Sequence, residues 1–455
     1  MIRTLWSTTT FNTALGLLTV LTWLSAAEES AAQIAATGSA VESGRLVVEG
    51  DAVFPYGVFV RELEGDGYVD RVQNVLVPNG LDLISTGWGR NPDDATRRQQ
   101  YASVLNSLDA AGRLWIYDMF DPPLQDAAVA DPVINQMVRD SRAAAAWFHS
   151  DDTQFNLRDG TLSEVQMREQ NVQSDPRTSG RATLLSYGGS AAEIGGPDGV
   201  ARVMAPLADI QAVQAYPVQS AQPRTANVFR SIEAARDGIA ASSNPDAMTM
   251  AYLQSSGAEG AGGVNTVTPT PDEVRAMAWH AVNAGATGIG WYEFESDIEP
   301  RIDSATPAVF QAIVDTAAEI RQVEDLLLSP QDYEGQLFAT DISHGRWIDQ
   351  DGSELHVLVN GHRTNDYASV VFSPAELGIT IDPALMEVQA ALQGDTLRLA
   401  FDGTNFVGPL PRQGVEAFRV FSIVAVPEPG SVMALVTVVT LSGLRRRRVA
   451  EGRPA

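Results

Sequence analysis

The chain has 455 residues and 44% hydrophobic residues, a globular composition that is too long for one ordinary core. It has no cysteine and no lysine, which excludes disulfides, thiolate nucleophiles, cysteine-ligated metals and Schiff-base lysines. Its formal net charge of −26 argues against nucleic acid as a partner, because phosphate binding needs clustered cations.

The remaining side chains narrow the possible chemistry further. The five histidines, at positions 149, 280, 344, 356 and 362, form no HExxH or similar metal-binding spacing. Carboxylates, tyrosines and the hydroxyl groups of serine and threonine are therefore the side chains that remain available for catalysis. We predict no metal and no cofactor.

The first 27 residues have the layout of a signal peptide. Arg3 supplies a small positive region, an apolar run covers about 14–24, and small residues at 25–27 offer a cleavage site. The alternative is an uncleaved signal anchor. The short apolar run and the small residues after it favour cleavage, and thus export.

Strand-like and helix-like patterns alternate through the body of the chain. The eight predicted strands are 54–60, 81–88, 114–120, 145–150, 182–187, 210–216, 248–254 and 288–294. The predicted helices are 94–111, 129–142, 162–173, 196–207, 227–241, 271–284 and 306–327. Pro271 with Asp272 and Glu273 indicates a helix start, and Gly285 indicates its end. Eight such units in about 280 residues are typical of a (β/α)8 TIM barrel, with a doubly wound sheet as the alternative.

The pattern becomes strand-rich after Pro330. The strands predicted there are 355–359, 368–372, 388–392, 397–401 and 415–423, with Asp-Gly and Asn-Gly turn pairs at or between them. We therefore expect a C-terminal antiparallel β-sandwich domain. The predicted boundaries are 1–27 for the signal peptide, 45–330 for the barrel, 331–425 for the β-domain and 426–448 for a terminal segment.

The terminal segment joins Pro427-Glu428-Pro429 to an apolar stretch at 431–444 and four arginines at 445–448. This order resembles the PEP-CTERM sorting signals of Gram-negative bacteria. The resemblance implies an exosortase-type enzyme as a partner and cutting near the Pro-Glu-Pro motif. It implies transient membrane anchoring through the C-terminal helix and then placement at the cell surface or in the extracellular matrix. The arginines after the apolar stretch predict a cytoplasmic C-terminus by the positive-inside rule. A plain C-terminal anchor is the alternative.

Polar and aromatic residues gather at the predicted strand ends, where (β/α)8 barrels place their function. Sugars need hydrogen-bonding groups beside flat rings, and glycosidic cleavage needs two carboxyl groups in different environments. The candidates for catalysis are Asp151 and Asp152 after strand 4 and Glu293 in strand 8. The candidates for substrate binding are Trp88, Asp118, His149, Tyr216, Gln254, Trp291 and Glu295. The structural alternative for the carboxylates is hydrogen bonding to the loop backbone. The alternative for the tryptophans, Trp147 among them, is that they fill the core.

Several segments, taken in order, resemble the (β/α)8 barrels of clan A glycoside hydrolases. The matching segments are 53–58 (VFPYGV), 146–152 (AWFHSDD), 214–217 (QAYP), 252–255 (YLQS) and 271–289. The resemblance implies a barrel that acts on a polysaccharide by carboxylate acid/base chemistry. The sequence departs from the family pattern at two positions. Asp152 replaces the glutamate of the strand-4 motif, and Gln254 occupies the position of the strand-7 glutamate that is the nucleophile in the clan.

Gln254 cannot serve as a nucleophile, so strand 4 would have to pair with Glu293 or Glu295 on strand 8, across the barrel. That pairing predicts a wide gap and an inverting geometry. We expect Glu293 and Glu295 to share a face, since side chains alternate along a strand. Two hypotheses follow: a secreted, surface-sorted glycoside hydrolase, or a catalytically silent barrel that binds carbohydrate or serves as a matrix protein.

Overall fold

The residues described by this computed structural model of the chain are 38–60, 67–85, 95–118, 136–138, 140–151, 153, 162–174, 180–196, 199–218, 224–257, 267–295, 301–338, 341–362, 364, 366–393 and 395–422. The predicted signal peptide and the Pro-Glu-Pro tail with its apolar stretch lie outside them. So does most of the helix predicted at 129–142. Within these residues, no helix has the length and apolar character that crossing a membrane requires.

A small antiparallel sheet comes first and packs under the barrel. Its strands are β1 Ser39–Glu42, β2 Arg45–Val48 and β3 Asp51–Val53. Ser43 and Gly44 both have positive φ, as the two-residue turn between β1 and β2 requires. The Ser39 hydroxyl donates to the Ala145 carbonyl of a barrel strand at 2.5 Å. Because β1 and β2 pair, the predicted domain start at 45 falls inside this sheet.

Eight parallel strands then close into a barrel in the order β10-β11-β4-β5-β6-β7-β8-β9. They are β4 Tyr56–Val60, β5 Asp82–Ser85, β6 Trp115–Asp118, β7 Ala144–Ser150, β8 Ala182–Tyr187, β9 Ile210–Ala215, β10 Met248–Gln254 and β11 Ile289–Glu295. All eight predicted strands are present within a few residues of their expected limits. The closed order confirms the (β/α)8 barrel over the doubly wound sheet.

Helices surround the barrel. They are α1 Gly67–Arg71, α2 Ala95–Ala111, α3 Leu162–Ser174, α4 Ala191–Gly195, α5 Val200–Met204, α6 Ala226–Ala240, α7 Pro271–Asn283, α8 Ile302–Ala305, α9 Pro307–Arg321 and α10 Glu324–Leu328. The predicted start of α7 is confirmed: Thr270 and Glu273 form a capping box, with Pro271 at the first helical position. Gly285 follows at φ 88°, a conformation that glycine adopts without strain.

Side-chain alternation divides the barrel strands between two hydrophobic clusters. Phe59, Ile84 and Phe148 belong to the cluster inside the barrel, which Leu46 and Val48 of β2 also join. Their neighbours on the same strands belong to the larger cluster between barrel and helices. This division decides which residues at the strand ends can face the barrel mouth.

Two antiparallel sheets make up the C-terminal part, in the orders β12-β13-β14-β19-β16 and β15-β18-β17. Their strands are β12 Asp332–Phe338, β13 Ile342–Ile348, β14 Glu354–Asn360, β15 Tyr367–Phe372, β16 Met386–Ala390, β17 Ala400–Phe401, β18 Phe406–Leu410 and β19 Val415–Ser422. Strands β12, β13 and β18 were not predicted. Side chains from both sheets share one hydrophobic cluster, which includes Leu358 and Phe418 from the first and Phe372 and Phe406 from the second.

Helix α7 joins the barrel to the five-stranded sheet through Asn283, which is fully buried. The Asn283 amide donates to the Ser343 hydroxyl at 2.9 Å and to the Val357 carbonyl at 3.0 Å. The backbone carbonyl of Asn283 accepts from the Tyr333 hydroxyl at 2.6 Å. Three strands of the sheet are thus fixed to the end of one barrel helix.

We expect Asn283→Ala to lower the free energy of unfolding by about 2–3 kcal/mol, because the two buried hydrogen bonds of the side-chain amide are lost. Chemical denaturation of the variant beside the original chain measures this difference. The exposed Asn227→Ala is the matched control and should change stability by less than about 0.5 kcal/mol. Equal stability of the two variants would show that this junction contributes little.

Candidate active site

The barrel mouth is formed by the carboxyl ends of the eight parallel strands. Strands β7 and β11, which carry the predicted catalytic carboxylates, lie four strands apart in either direction around the closed order. They therefore face each other across the barrel, as the sequence predicted. The side chains of Glu293 and Glu295 lie outside the described part of the chain.

Asp151 follows β7 directly and is the predicted catalytic residue that the structure places best. It is half-buried, and its Oδ1 accepts a hydrogen bond from the hydroxyl of Ser186 on β8. The same oxygen accepts from the amide of Gln214 on β9 at 3.0 Å, and that amide also lies 3.0 Å from the Ser186 hydroxyl. Two neighbouring strands thus hold one carboxylate oxygen at the mouth.

Aromatic rings fill the inside of the barrel beneath this carboxylate. The Phe59 ring has its centroid 5.2 Å from that of Tyr292, 6.3 Å from that of Tyr252 and 6.4 Å from that of Phe148. The predicted substrate-binding residue Tyr216 lies 5.7 Å from Tyr292, and both rings are half-buried. The mouth therefore combines a fixed carboxylate with partly accessible aromatic surface.

His149 does not reach the mouth. The pairing of β7 with β8 shifts register between Phe148 and Ser150, so the alternation expected for His149 is interrupted there. Its Nε2 lies 3.2 Å from the Leu207 carbonyl and 3.2 Å from a carboxylate oxygen of Glu169 in α3. Only 3% of this histidine is exposed, so its surroundings are those of a residue that joins the barrel to its helices.

The tryptophans of β7 and β11 are fully buried on the outer side of their strands. Trp147 packs edge-on against Tyr117 at 5.5 Å, and the centroid of Trp291 lies 6.3 Å from that of Tyr56. Neither ring is open to a ligand at the mouth. The structural alternative for both residues, that they fill the core between barrel and helices, fits their positions.

Gln254 ends β10, but loop backbone engages its whole amide. Its Nε2 donates to the carbonyls of Val218, Ser256 and Val267 at 3.2, 3.0 and 2.8 Å. Its Oε1 accepts from the Val218 amide at 3.1 Å. With 3% exposure, Gln254 holds two loops together and presents no group to a substrate.

We expect Gln254→Glu to destabilise the chain by about 2–4 kcal/mol and to create no nucleophile, because a carboxylate would face three carbonyl oxygens in a buried site. Thermal and chemical denaturation measure the loss. The exposed Gln350→Glu carries the same change of charge and should leave stability nearly unaltered. A Gln254→Glu chain of unchanged stability with gained hydrolytic activity would contradict this assignment.

The other predicted site residues are less fully placed. Trp88 and Asp152 lie outside the described residues, and the side chain of Asp118, the last residue of β6, is not described either. Strand β11 has a register shift against β4 between Trp291 and Glu295. Regular alternation therefore does not hold over the stretch that contains Glu293. No group of three or more His, Asp or Glu side chains suited to a metal ion occurs in the described part.

Ser186 and Gln214 were not among the predicted site residues. Both lie on the same strand face as interior residues two positions earlier, Leu184 and Ala212. Side chains two positions apart on a strand point to the same side, so a polar residue two positions after an interior apolar residue, at the end of a strand, must face the mouth. This rule could have identified both residues from the sequence. Their roles become evident only once Asp151 is seen between them.

The chain matches no protein-family model, and no curated protein is similar to it in sequence. Solved structures do share its fold. A GH27 β-L-arabinopyranosidase from Geobacillus stearothermophilus superposes with a TM-score of 0.52 at 11% identity, over 82% of this chain and 97% of that one. An α-galactosidase I from Mortierella vinacea gives 0.52 at 9% identity, over 81% and 97%.

A glycoside hydrolase family 5 structure from Bacteroides vulgatus gives a TM-score of 0.50 at 11% identity, over 85% of this chain and 93% of that one. These matches cover most of each chain, so they extend beyond the eight-stranded barrel. At such low identity they establish the architecture alone. The chain has a glycoside hydrolase-like fold, with a (β/α)8 barrel followed by antiparallel sheets.

Proposed function

We propose that the chain is a glycoside hydrolase that cleaves a polysaccharide at the barrel mouth by carboxylate acid/base chemistry. The observation that carries this proposal is the Asp151 carboxylate at the end of β7, held by Ser186 and Gln214 above a cluster of aromatic rings. The fold shared with glycoside hydrolases supports the same chemistry. A glycan is accordingly the proposed ligand.

In this mechanism Asp151 acts as the ionised carboxylate. One of its oxygens accepts from two donors, and hydrogen bonds of this kind favour the charged form. An ionised carboxylate can take a proton from the attacking water and so act as the general base. Ser186 and Gln214 do not touch the reacting atoms in this scheme. They are positioning residues that fix the direction of the Asp151 lone pairs.

The second carboxyl group would protonate the leaving oxygen. The candidates remain Asp152, next to Asp151, and Glu293 on the opposite strand β11. Glu293 is the better partner on topology, since opposite strands leave room for a sugar and a water between two carboxyl groups. We therefore propose Glu293 as the general acid and an inverting outcome.

The half-buried rings of Tyr216 and Tyr292 are the proposed contacts for the C–H face of a sugar. Asp118, Glu295 and Trp88 remain proposed substrate contacts by their sequence positions at strand ends. We further propose that the two C-terminal sheets form a β-sandwich, since they share a core. Export and exosortase sorting to the cell surface or matrix are proposed from the two sequence ends alone.

A catalytically silent, carbohydrate-binding barrel is the second candidate. The observation that favours it is Gln254, which stands at the position of the strand-7 nucleophile and is engaged by backbone on all sides. A protein of this kind would keep the aromatic and carboxylate surface at the mouth. It would bind glycan without cleaving it.

Release of reducing ends from a panel of bacterial and algal polysaccharides separates the two candidates. We expect release from at least one polysaccharide by the original chain, and loss of release in Glu293→Gln, with Asp152→Asn tested beside it. Binding of a polysaccharide without any release would support the silent barrel and end the hydrolase proposal. Release that neither substitution affects would remove these two residues from the mechanism.

A further inference from the structure

Strand β7 has one extra residue relative to its neighbour β8, and that residue is His149. Phe148 pairs with Leu184, but the next pair along the two strands is Ser150 with Leu185. Two steps along β7 therefore correspond to one step along β8, which makes this place a β-bulge. Bulges are frequent beside active sites, where they redirect a side chain, and this one lies two residues before Asp151.

The bulge decides which side of β7 Asp151 faces. Phe148 lies inside the barrel, so regular alternation would point Ser150 to the mouth and Asp151 to the helices. A shift of one residue moves every later side chain to the other face. Ser150 is level with Leu185, which belongs to the cluster outside the barrel. Asp151 consequently turns to the mouth, where its carboxylate accepts from Ser186.

The side chain of His149 holds the bulge through both ring nitrogens. The Leu207 carbonyl can only accept, so its contact with Nε2 at 3.2 Å places a hydrogen on that nitrogen. In the neutral ring Nδ1 is then an acceptor, and the Ser150 hydroxyl donates to it at 3.0 Å. Only 3% of His149 and none of Ser150 is exposed, so solvent does not replace either bond.

Further contacts fix the chain on both sides of Asp151. Before it, a carboxylate oxygen of Glu169 on α3 lies 3.2 Å from Nε2 of the same histidine. The other oxygen of Glu169 accepts from the Thr183 hydroxyl of β8 at 3.3 Å. After Asp151, the buried Thr153 hydroxyl donates to the Ser186 carbonyl at 2.9 Å. The bulge is thus attached to a helix, to the loop before β9 and to β8.

We propose that His149 is a positioning residue, which holds the bulge that turns Asp151 from the helix side of β7 into the barrel mouth. The importance of this position for hydrolysis rests on the proposed function. A histidine that only stabilised the fold would matter equally whether or not residue 151 could react. A positioning histidine acts through the Asp151 carboxylate alone.

A double-mutant cycle on the full-length chain separates these two roles. His149→Phe keeps a buried ring but removes both hydrogen bonds. We expect it to lower kcat by about 10²-fold with little change in KM, because a small displacement of a reacting group has an effect of this size. The loss should be the same in the background of Asp315→Asn, an exposed residue of α9. In the Asp151→Asn background we expect no further loss, and an equal loss there would overturn the proposal.

Two smaller substitutions test the link between His149 and Ser150 with less disturbance of the core. Ser150→Ala removes the bond to Nδ1 and leaves the ring in place, so we expect a loss in kcat of about tenfold. In His149→Asn the amide oxygen takes the place of Nδ1 and still accepts from Ser150, so kcat should recover in part relative to His149→Phe. Unchanged kcat in folded Ser150→Ala would overturn the proposal.

Crystal structures of the variants make the test independent of hydrolysis. In His149→Phe we expect Asp151 to lose its contacts with Ser186 and Gln214. The matched control is His280→Phe, which changes a fully buried histidine of α7 and should leave these contacts and kcat as they are. If the original chain hydrolyses no polysaccharide, the proposed function fails, but the crystal structures still test the bulge. An Asp151 that keeps both contacts in His149→Phe would overturn the proposal whatever the activity.

Discussion

Asp151→Asn is expected to lower the rate of polysaccharide hydrolysis by about 10²–10⁴-fold while the chain stays folded. The asparagine keeps the shape of the side chain and can still accept from Ser186 and Gln214, but it cannot take a proton from the attacking water. The loss should therefore fall on kcat, with KM changed little. Initial rates with the best substrate, compared with those of Asp315→Asn, measure the effect.

Substitution of either hydrogen-bond donor to Asp151 should reduce activity less than substitution of Asp151 itself. Ser186→Ala and Gln214→Leu each remove one hydrogen bond to Oδ1 and leave the carboxylate in place. We expect losses in kcat of about tenfold each, because one charge-assisted hydrogen bond is lost. Recovery in Gln214→Asn or Ser186→Thr would support a positioning role. If Ser186→Ala abolished activity as completely as Asp151→Asn, the hydroxyl itself would have to take part in the reaction.

Glu354→Gln is expected to destabilise the C-terminal sheets by about 3–5 kcal/mol, because it leaves a buried arginine without its counter-ion. The Glu354 carboxylate is 1% exposed and accepts from Arg346 at 2.9 Å, and the Arg346 side chain is itself 7% exposed. The other carboxylate oxygen accepts from the Thr380 hydroxyl at 3.2 Å. Chemical denaturation, with the exposed Glu387→Gln on β16 as the matched control, measures the cost.

A chain of hydrogen bonds ends at the same carboxylate and fixes two histidine tautomers. Gln336 Nε2 lies 3.0 Å from His344 Nδ1, His344 Nε2 lies 3.0 Å from His356 Nδ1, and His356 Nε2 lies 3.0 Å from Glu354 Oε2. The Gln336 amide can only donate at the first contact, so each neutral ring accepts at Nδ1 and donates at Nε2. Glu354 receives the last donor, and the stacked rings of His344 and His356 join β13 to β14.

The stability lost in Glu354→Gln should depend on pH with a definite sign. Burial opposes ionisation of Glu354, but the hydrogen bonds from His356 and Arg346 outweigh it and lower its pKa from 4.5 to about 2. A lowered carboxyl pKa stabilises the fold above 4.5, and this contribution disappears as the pH falls towards 2. The difference between the original chain and the variant should therefore be constant near neutral pH and narrow below 4.5.

The buried histidines make the stability of the original chain decrease at acidic pH. Burial lowers the pKa of His344 well below 6.5, with further lowering by His356 and Arg346, and burial also lowers the pKa of His356 and brings that of His280 to about 3. The unfolded chain binds these protons below 6.5 and the folded chain does not, so stability declines as the pH falls through that value. The raised pKa of buried Asp82 acts in the opposite sense, equally in original and variant.

The barrel was predictable because its strands are buried on both faces. All seven residues of β7 and of β10 are buried, which produces the continuous apolar runs visible in the sequence. Strand β13 carries a histidine, an arginine and two residues small enough to let α7 approach, and its burial depends on partners in other elements, such as Glu354 on β14 and Asn283 on α7. No hydrophobic pattern within the segment itself predicts such a strand. The short strands β1 to β3 gave equally little signal.

The residues predicted for the candidate site lie only in part at the carboxyl ends of the barrel strands. Asp151 and Tyr216 lie where the strand ends indicated. His149 and Trp291 do not face the mouth, because a register shift beside His149 and the outward side of β11 direct them to the helices. Gln254 was expected to contact substrate, but bonds to three backbone carbonyls engage it, and no sequence feature reveals them.

Chemical rescue of Asp151→Gly tests the central claim most directly, namely that Asp151 is the catalytic carboxylate of glycan hydrolysis at the barrel mouth. The substitution removes the carboxylate and opens a space that a small anion can enter. We predict that azide or formate restores hydrolysis, with a glycosyl azide as product if the anion attacks the sugar. An Asp151→Gly chain that remains fully active without added anion would contradict the claim. So would a chain that no anion rescues while the same anions rescue Asp152→Gly.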